Sequence, residues 1–223
     1  MNVQLAPPND RIVSGSFDRT LRVWNMTTGD CEGVFSGHTS VIKFIIALSG
    51  GRIVSCSGDK TLRMWSINTG CCEFVFSGHE DGVLSAVTLS NDRIVSCSSD
   101  KTLRVWHTTT GDCEQVLSGH GRTVWSVIAL SDGRIVSCSD DTTLRVWNLV
   151  TGDCEKVLFG HNLAVTSVVA LHDGRIVSCS NDKTLRVWNS GTGDCDYVFS
   201  GHESVVVSAI ALFDGRIVSC YLK

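Results

Sequence analysis

His38, Ser55, Asp59 and Trp65 are residue types that could act together, and the same four types recur at the same spacing three more times, at intervals of 41 residues. Serine, histidine and aspartate are the members of a hydrolytic triad, with the serine as nucleophile. The same types also suit a chain of structural hydrogen bonds. An indole N–H only donates and a carboxylate only accepts, whereas a hydroxyl and a neutral imidazole do both, so a chain from Trp65 through Ser55 and His38 to Asp59 leaves no group idle. A nucleophile is needed once per site, and this set occurs four times. The repetition therefore favours a structural network over a hydrolase. Each neutral bond contributes about 1 kcal/mol net, and a buried partner left unpaired costs about 1 to 3 kcal/mol. Ser57 and its equivalents lie two residues on along the same strand face, so the choice between the two serines stays open at this point.

The elements that must position these groups are repeated hairpins. Arg175 to Trp188 reads as strand, tight turn at Asn181-Asp182, and strand. Its Arg-Ile-Val-Ser opening begins at Arg11, Arg52, Arg93, Arg134, Arg175 and Arg216, and its closing tryptophan falls at Trp24, Trp65, Trp106, Trp147 and Trp188. Gly-His keeps the same 41-residue period at His38, His79, His120, His161 and His202. A period of ~40 to 45 residues with four strands per unit and Gly-His to Trp markers characterises propeller blades of the WD type.

From Val3 to Tyr221 the chain resembles the WD40 (beta-transducin-like) repeat family, and its repeat text is most similar to F-box/WD-type propellers, without an F-box segment. The resemblance implies an all-β propeller of four-stranded antiparallel blades, forming a single domain over 1–223. Units begin near residue 1 (partial), 37, 78, 119, 160 and 201 (partial). It also implies structural tetrads at His38, Ser55, Asp59, Trp65; at His79, Ser96, Asp100, Trp106; at His120, Ser137, Asp141, Trp147; and at His161, Ser178, Asp182, Trp188. One departure is that Trp-Asp never occurs: Asn25, Ser66, His107, Asn148 or Asn189 follows the tryptophan.

The first unit is expected to hold only the end of an innermost strand (Val3 to Ala6), then strand b over Arg11 to Ser16, c over Thr20 to Trp24 and d over Cys31 to Ser36. In the fifth unit the corresponding strands are Ala164 to Leu171, Arg175 to Ser180, Thr184 to Trp188 and Asp196 to Ser200. The sixth supplies Val205 to Leu212 and Arg216 to Cys220. Two arrangements of the ends follow. In one, an open arc carries an incomplete blade at each end and self-associates through them. In the other, Val205 to Leu212 fills the inner slot of the first unit and His202 joins Ser14, Asp18 and Trp24. The open arc is the expectation.

A chain of 223 residues, 43% hydrophobic and with a formal charge of −4, can bury a substantial core and offers no basic block that would track phosphates. No apolar run approaches the ~20 residues that span a bilayer, and there is no basic leader segment. Nucleic acid and membrane are therefore not expected partners. The eleven cysteines form two ladders, Cys56, Cys97, Cys138, Cys179 and Cys220 in strand b and Cys31, Cys72, Cys113, Cys154 and Cys195 in strand d, with Cys71 extra. No Cys-x-x-Cys spacing occurs, so no metal site or cofactor is expected. The thiols read as reduced, buried, unreactive hydrophobes of a cytoplasmic or nuclear protein.

Within near-identical repeats, the columns that vary are where function differs. Five residues after each histidine stand Lys43, Leu84, Trp125, Thr166 and Val207; before each turn aspartate stand Phe17, Gly58, Ser99, Asp140 and Asn181; residues after Gly-His, such as Arg122, vary as well. The family commonly presents ligand contacts from the first two columns. Trp125, Arg122, Lys43 and Phe17 are the candidate partner-binding residues, since Trp and Arg dominate interface hot spots. F-box/WD receptors of ubiquitin ligases read phosphopeptides with several arginines from those columns, and here neither column holds one. The expected function is a non-catalytic scaffold binding a protein or peptide on the propeller face. Alternatives are a truncated or recently amplified array with no dedicated partner, a ubiquitin-ligase substrate receptor and, least favoured, a hydrolase.

Overall fold

The structure is a computed structural model that describes residues 2–6, 10–212 and 215–221. Every regular element among them is a β-strand. The first blade is β1 (Asn2–Ala6), β2 (Arg11–Gly15), β3 (Leu21–Asn25) and β4 (Cys31–Phe35). The second is β5 (Ile42–Leu48), β6 (Arg52–Ser57), β7 (Thr61–Ser66) and β8 (Cys72–Ser77); the third is β9 (Val83–Thr88), β10 (Arg93–Ser98), β11 (Leu103–His107) and β12 (Cys113–Leu117). The fourth is β13 (Val124–Ala129), β14 (Ile135–Ser139), β15 (Leu144–Trp147) and β16 (Cys154–Leu158). The fifth is β17 (Val165–Ala170), β18 (Ile176–Ser180), β19 (Leu185–Trp188) and β20 (Cys195–Phe199), and a sixth sheet holds only β21 (Val206–Ala211) and β22 (Ile217–Tyr221). Each four-stranded sheet is an antiparallel meander in chain order.

Two compact units, Met1–Val116 and Leu117–Lys223, divide the chain at the end of β12. In the first unit the core runs through Val54, Leu62, Met64, Phe76, Ile94 and Trp106, so that the faces of neighbouring blades share one apolar layer. The second unit repeats this with Val136, Leu144, Val146, Leu158, Ile176 and Trp188. Strand b is buried on both faces, as Ile176 to Ser180 shows throughout, because sheets cover it on either side.

The strands fall within a residue of their expected bounds, but the first unit differs from expectation. β1 pairs along its whole length with β2, from Asn2↔Gly15 to Ala6↔Arg11, and so nearly fills the inner slot. Val206–Ala211 pairs instead with Ile217–Tyr221. The alternative in which that strand fills the first unit's inner slot is therefore not the pairing adopted.

Strand d corrects the reading of the cysteines. Cys56, Cys97, Cys138 and Cys179 are buried, but Cys31, Cys71, Cys72, Cys113 and Cys220 are exposed, and Cys154 and Cys195 lie between. In the complete blades strand d is the outermost strand, and in β4 only Phe35 at its end is buried. β22 likewise has a neighbour on one side only, which leaves Cys220 open. The hairpin turns hold a second surprise. The left-handed residue is the one after the aspartate: Arg19, Lys60, Lys101, Thr142 and Lys183 have φ of 71° to 74°. A side chain there costs roughly 1 to 2 kcal/mol, and the aspartate offsets this by capping the next backbone N–H, as Asp182 does for Thr184 at 3.0 Å.

Candidate functional site

In each of four blades the Gly-His loop is tied to strands b and c through one serine. Trp65 Nε1 donates to Ser55 Oγ at 2.9 Å, and Ser55 Oγ lies 2.7 Å from His38 Nε2. His38 Nδ1 lies 2.8 Å from Asp59 Oδ2. A carboxylate only accepts, so Nδ1 carries the proton and Nε2 receives the serine hydroxyl. The corresponding Trp–Ser, Ser–His and His–Asp distances are 2.8, 2.8 and 2.6 Å for Trp106, Ser96, His79 and Asp100. They are 2.8, 2.8 and 2.8 Å for Trp147, Ser137, His120 and Asp141. They are 2.8, 2.7 and 2.7 Å for Trp188, Ser178, His161 and Asp182. Two partial sets exist: Trp24 donates to Ser14 at 2.8 Å in the first blade, and His202 Nε2 meets Ser219 Oγ at 2.8 Å in the sixth.

Sequence reasoning missed one member of this network, the threonine two residues after each aspartate. Thr61 donates to Asp59 through both its backbone N–H and its hydroxyl, and Thr102, Thr143 and Thr184 do the same for Asp100, Asp141 and Asp182. The signal was present as Asp-x-Thr in each of the first five units. Ser57, the alternative serine left open by the sequence, donates to the Ser40 carbonyl and accepts the Asp59 backbone N–H, which shapes the turn. Burial raises the Asp59 and Asp182 carboxyls, but hydrogen bonds led by the threonine hydroxyls outweigh it and bring both to about 2. At Asp100 and Asp141 burial is likewise outweighed, chiefly by the histidine bonds, and both fall well below the usual carboxylate range. Burial lowers His38 and His161 despite the facing aspartates, which keeps the imidazoles neutral.

The connectivity of these groups is that of a triad, but Ser55, Ser96, Ser137 and Ser178 have no exposed surface. Each hydroxyl oxygen already accepts an indole N–H. Such an oxygen meets no substrate, so the geometry does the work of a clamp. Among the described residues no cluster of three or more His, Cys, Asp or Glu could hold a metal ion.

The rim carries the variable columns, and a backbone irregularity puts them there. The register of strand a shifts between Ile42 and Phe44, between Val124 and Ser126, and between Val165 and Ser167, which leaves Lys43, Trp125 and Thr166 as bulge residues. A bulge residue has no cross-strand partner, so its side chain can change without disturbing the ladder. Trp125 is 40% exposed, and its Nε1 donates to Asp140 Oδ1 at 2.5 Å, which joins the bulge column to the turn column. Arg122 is exposed beside it, in a groove with Gly121, Asp140, Leu163 and Asn181. In the first unit Lys43 Nζ stands 5.9 Å over the ring of Phe17, which is 71% exposed. Thr166 faces inward instead, its hydroxyl donating to the Val206 carbonyl at 2.7 Å.

The family model described as "WD domain, G-beta repeat" matches residues 1–25, 29–66, 70–107, 111–148 and 152–189, most of the chain. The chain belongs to the WD40 repeat family. Among curated relatives it is similar to WD repeat-containing protein pop1 of Schizosaccharomyces pombe (strain 972 / ATCC 24843), at 54% identity over 41 residues. That match covers 18% of this chain and 5% of the relative, so only about one repeat is compared. Among solved structures it is similar to the WD40 beta propeller domain of Doa1, with a TM-score of 0.85 and 24% identity over 98% of this chain and 74% of that one. At that identity the likeness concerns the fold. WD40 propellers are in general protein-interaction scaffolds that bind proteins or peptides and are typically non-catalytic. The missing Trp-Asp has a physical account in three of the WD40 units. Asn25, Asn148 and Asn189 each accept two backbone N–H groups of the turn into strand d, so a neutral acceptor does the capping there.

Proposed function

We propose that this WD40 chain is a non-catalytic interaction protein that binds a protein or peptide through the bulge residues and hairpin turns of its units, each unit carrying its own contacts. Trp125 and Arg122 supply the contacts in one unit, and Phe17 with Lys43 supplies them in the other. The observation that carries this reading is Trp125: a large ring with 40% of its surface exposed, held in place by Asp140. An aromatic side chain whose orientation is already fixed loses little conformational freedom on binding. Asp140 and Asp141 line the groove beside Arg122, and Lys43 is the sole basic residue in the two columns. This composition favours an uncharged or mixed-charge peptide over a phosphorylated one. Its thiols fit a cytoplasmic or nuclear setting.

Selection from a displayed peptide library tests the reading. Peptides recovered on the wild type should lose binding to Trp125→Ala/Lys43→Ala, while that variant keeps the wild-type melting temperature. Selected peptides that bind the double variant equally well would remove these residues from the site.

A further inference from the structure

The arginine that opens strand b is held by a hydrogen-bonded carboxylate in three blades and not in two others. In the fourth blade Arg134 Nε and Nη2 lie 2.9 and 2.6 Å from Asp132 Oδ2, and in the fifth Arg175 Nε and Nη2 lie 2.8 and 2.7 Å from Asp173 Oδ2. In the first blade Arg11 Nε donates to Glu32 Oε2 at 2.6 Å. Arg52 and Arg93 are the equivalents in the second and third blades. Arg52 Nη2 comes only to 3.9 Å from Asp92, beyond hydrogen-bond range, and that carboxylate is 59% exposed against 26% for the arginine side chain. Among the described residues Arg93 makes no ion pair and no side-chain hydrogen bond.

Two local differences free these arginines. The turn from strand a to strand b is Asp132-Gly133 or Asp173-Gly174 in the later blades, where only the glycine has a positive φ, but Gly50-Gly51 and Asn91-Asp92 in the second and third, where both residues have φ of 53° to 72°. A turn with two left-handed residues selects glycine, asparagine or aspartate, and the place of the pinning aspartate falls to Gly50 and Asn91. The other difference follows the tryptophan. Asn25 and Asn148 donate through Nδ2 to Glu32 and Glu155 at 2.8 Å, which turns these carboxylates toward Arg11 and Arg134. Ser66 and His107 stand there in the second and third blades, and among the described residues Glu73 and Glu114 form no ion pair.

Arg52 and Arg93 line one groove of about 370 Å³ with Leu48, Leu89, Asn91 and Thr108. It lies at the ends of the strands away from the hairpin turns that carry Phe17 and its equivalents. Asp92 is its one acidic lining residue, so two guanidinium groups face a single carboxylate. We propose that this groove binds an acidic segment of a partner protein. An Asp or Glu carboxylate of that segment takes the place on Arg93 that Asp132 and Asp173 fill on their own arginines, and a second is shared with Arg52. A guanidinium offers a planar fork that matches a carboxylate, and a charge-assisted bond of this kind is about twice as strong as a neutral one. Leu48 and Leu89, both half-buried, receive an apolar neighbour in the segment. The site is separate from Trp125 and from Lys43 with Phe17, and does not rest on them.

Fluorescence anisotropy with a labelled peptide of Glu, Leu and Ser tests the proposal on the full chain. Saturable binding that weakens with added salt is expected. The same peptide with Gln for every Glu should bind roughly tenfold or more weakly, and so should the parent peptide to Arg93→Gln. His107→Asn gives Glu114 the amide that Asn148 gives Glu155, and it should weaken binding several-fold while every groove side chain stays in place. Arg175→Gln and Trp125→Ala should leave the affinity unchanged. Absence of saturable binding, equal binding of the Gln peptide, or an equal loss in Arg175→Gln would overturn the proposal. So would a phosphoserine version of the peptide that binds more than tenfold tighter, since the groove would then belong to phosphate.

Discussion

Trp125 and Asp140 are joined by a hydrogen bond from the indole N–H to the carboxylate, across the bulge of β13 and the turn after β14. The bond fixes the direction of a ring that stays 40% exposed. Asp140→Ala should therefore weaken partner binding several-fold by freeing the ring, while Asp140→Asn, which keeps an acceptor, should bind nearly as well as the wild type. Melting should change by less than about 1 kcal/mol in both, since the pair is exposed. Binding titrations on the two variants check this.

Asp100 is placed differently, for it takes His79 Nδ1, the Glu80 backbone N–H and both donors of Thr102. Asp100→Ala removes the shared acceptor and strands the proton of a buried imidazole. The expected cost is about 3 kcal/mol of stability, with Asp100→Asn less severe. Chemical denaturation measures it; a variant as stable as the wild type would show that the tetrads are ornamental.

Much of this was legible in the sequence because the chain repeats. The 41-residue period lines up His79, Ser96, Asp100 and Trp106 with their counterparts, and valence orders the residue types into a chain, although Ser98 on the same strand face was an equal candidate until the bond from Trp106 placed Ser96 in it. Strand limits were readable to a residue for the same reason. The bulge at Trp125 was not, because strand a is apolar on both faces and its pattern has no phase for an extra residue to break. The exposure of Cys31 and Cys113 was hidden too. Nothing in Cys-Glu-x-Val says that the strand lies outermost, where one neighbouring strand replaces two.

The buried histidines set an acid limit. His38 and His161 sit below the ordinary value of 6.5, so the unfolded chain binds protons that the folded one refuses. Stability from this source is complete above pH 6.5 and falls as pH drops below it toward the lowered folded values. Asp59 and Asp182 add a second loss, between the ordinary 3.8 and about 2. Melting temperature against pH should thus decline in two stages, the first starting below about pH 6.5. A flat profile down to pH 4 would contradict the neutral-imidazole clamp.

Thiol labelling should separate the ladders. Cys31, Cys71, Cys72, Cys113 and Cys220 should alkylate readily in native buffer, whereas Cys56, Cys97, Cys138 and Cys179 should wait for unfolding. Burial also pushes the Cys179 thiol up to about 12, so the reactive thiolate is scarce as well as hidden. Peptide mapping after timed iodoacetamide treatment gives the order directly.

The central claim is a division of labour between a clamped scaffold and a variable rim, and one paired measurement on Trp125→Ala and Trp106→Ala tests it. Trp106 is buried and bonded to Ser96, so its loss should cost about 3 to 5 kcal/mol and depress melting sharply. Trp125→Ala should melt like the wild type and lose most of its affinity for peptides selected on the rim. Equal loss of melting temperature in the two variants, or undiminished peptide binding by Trp125→Ala, would contradict it.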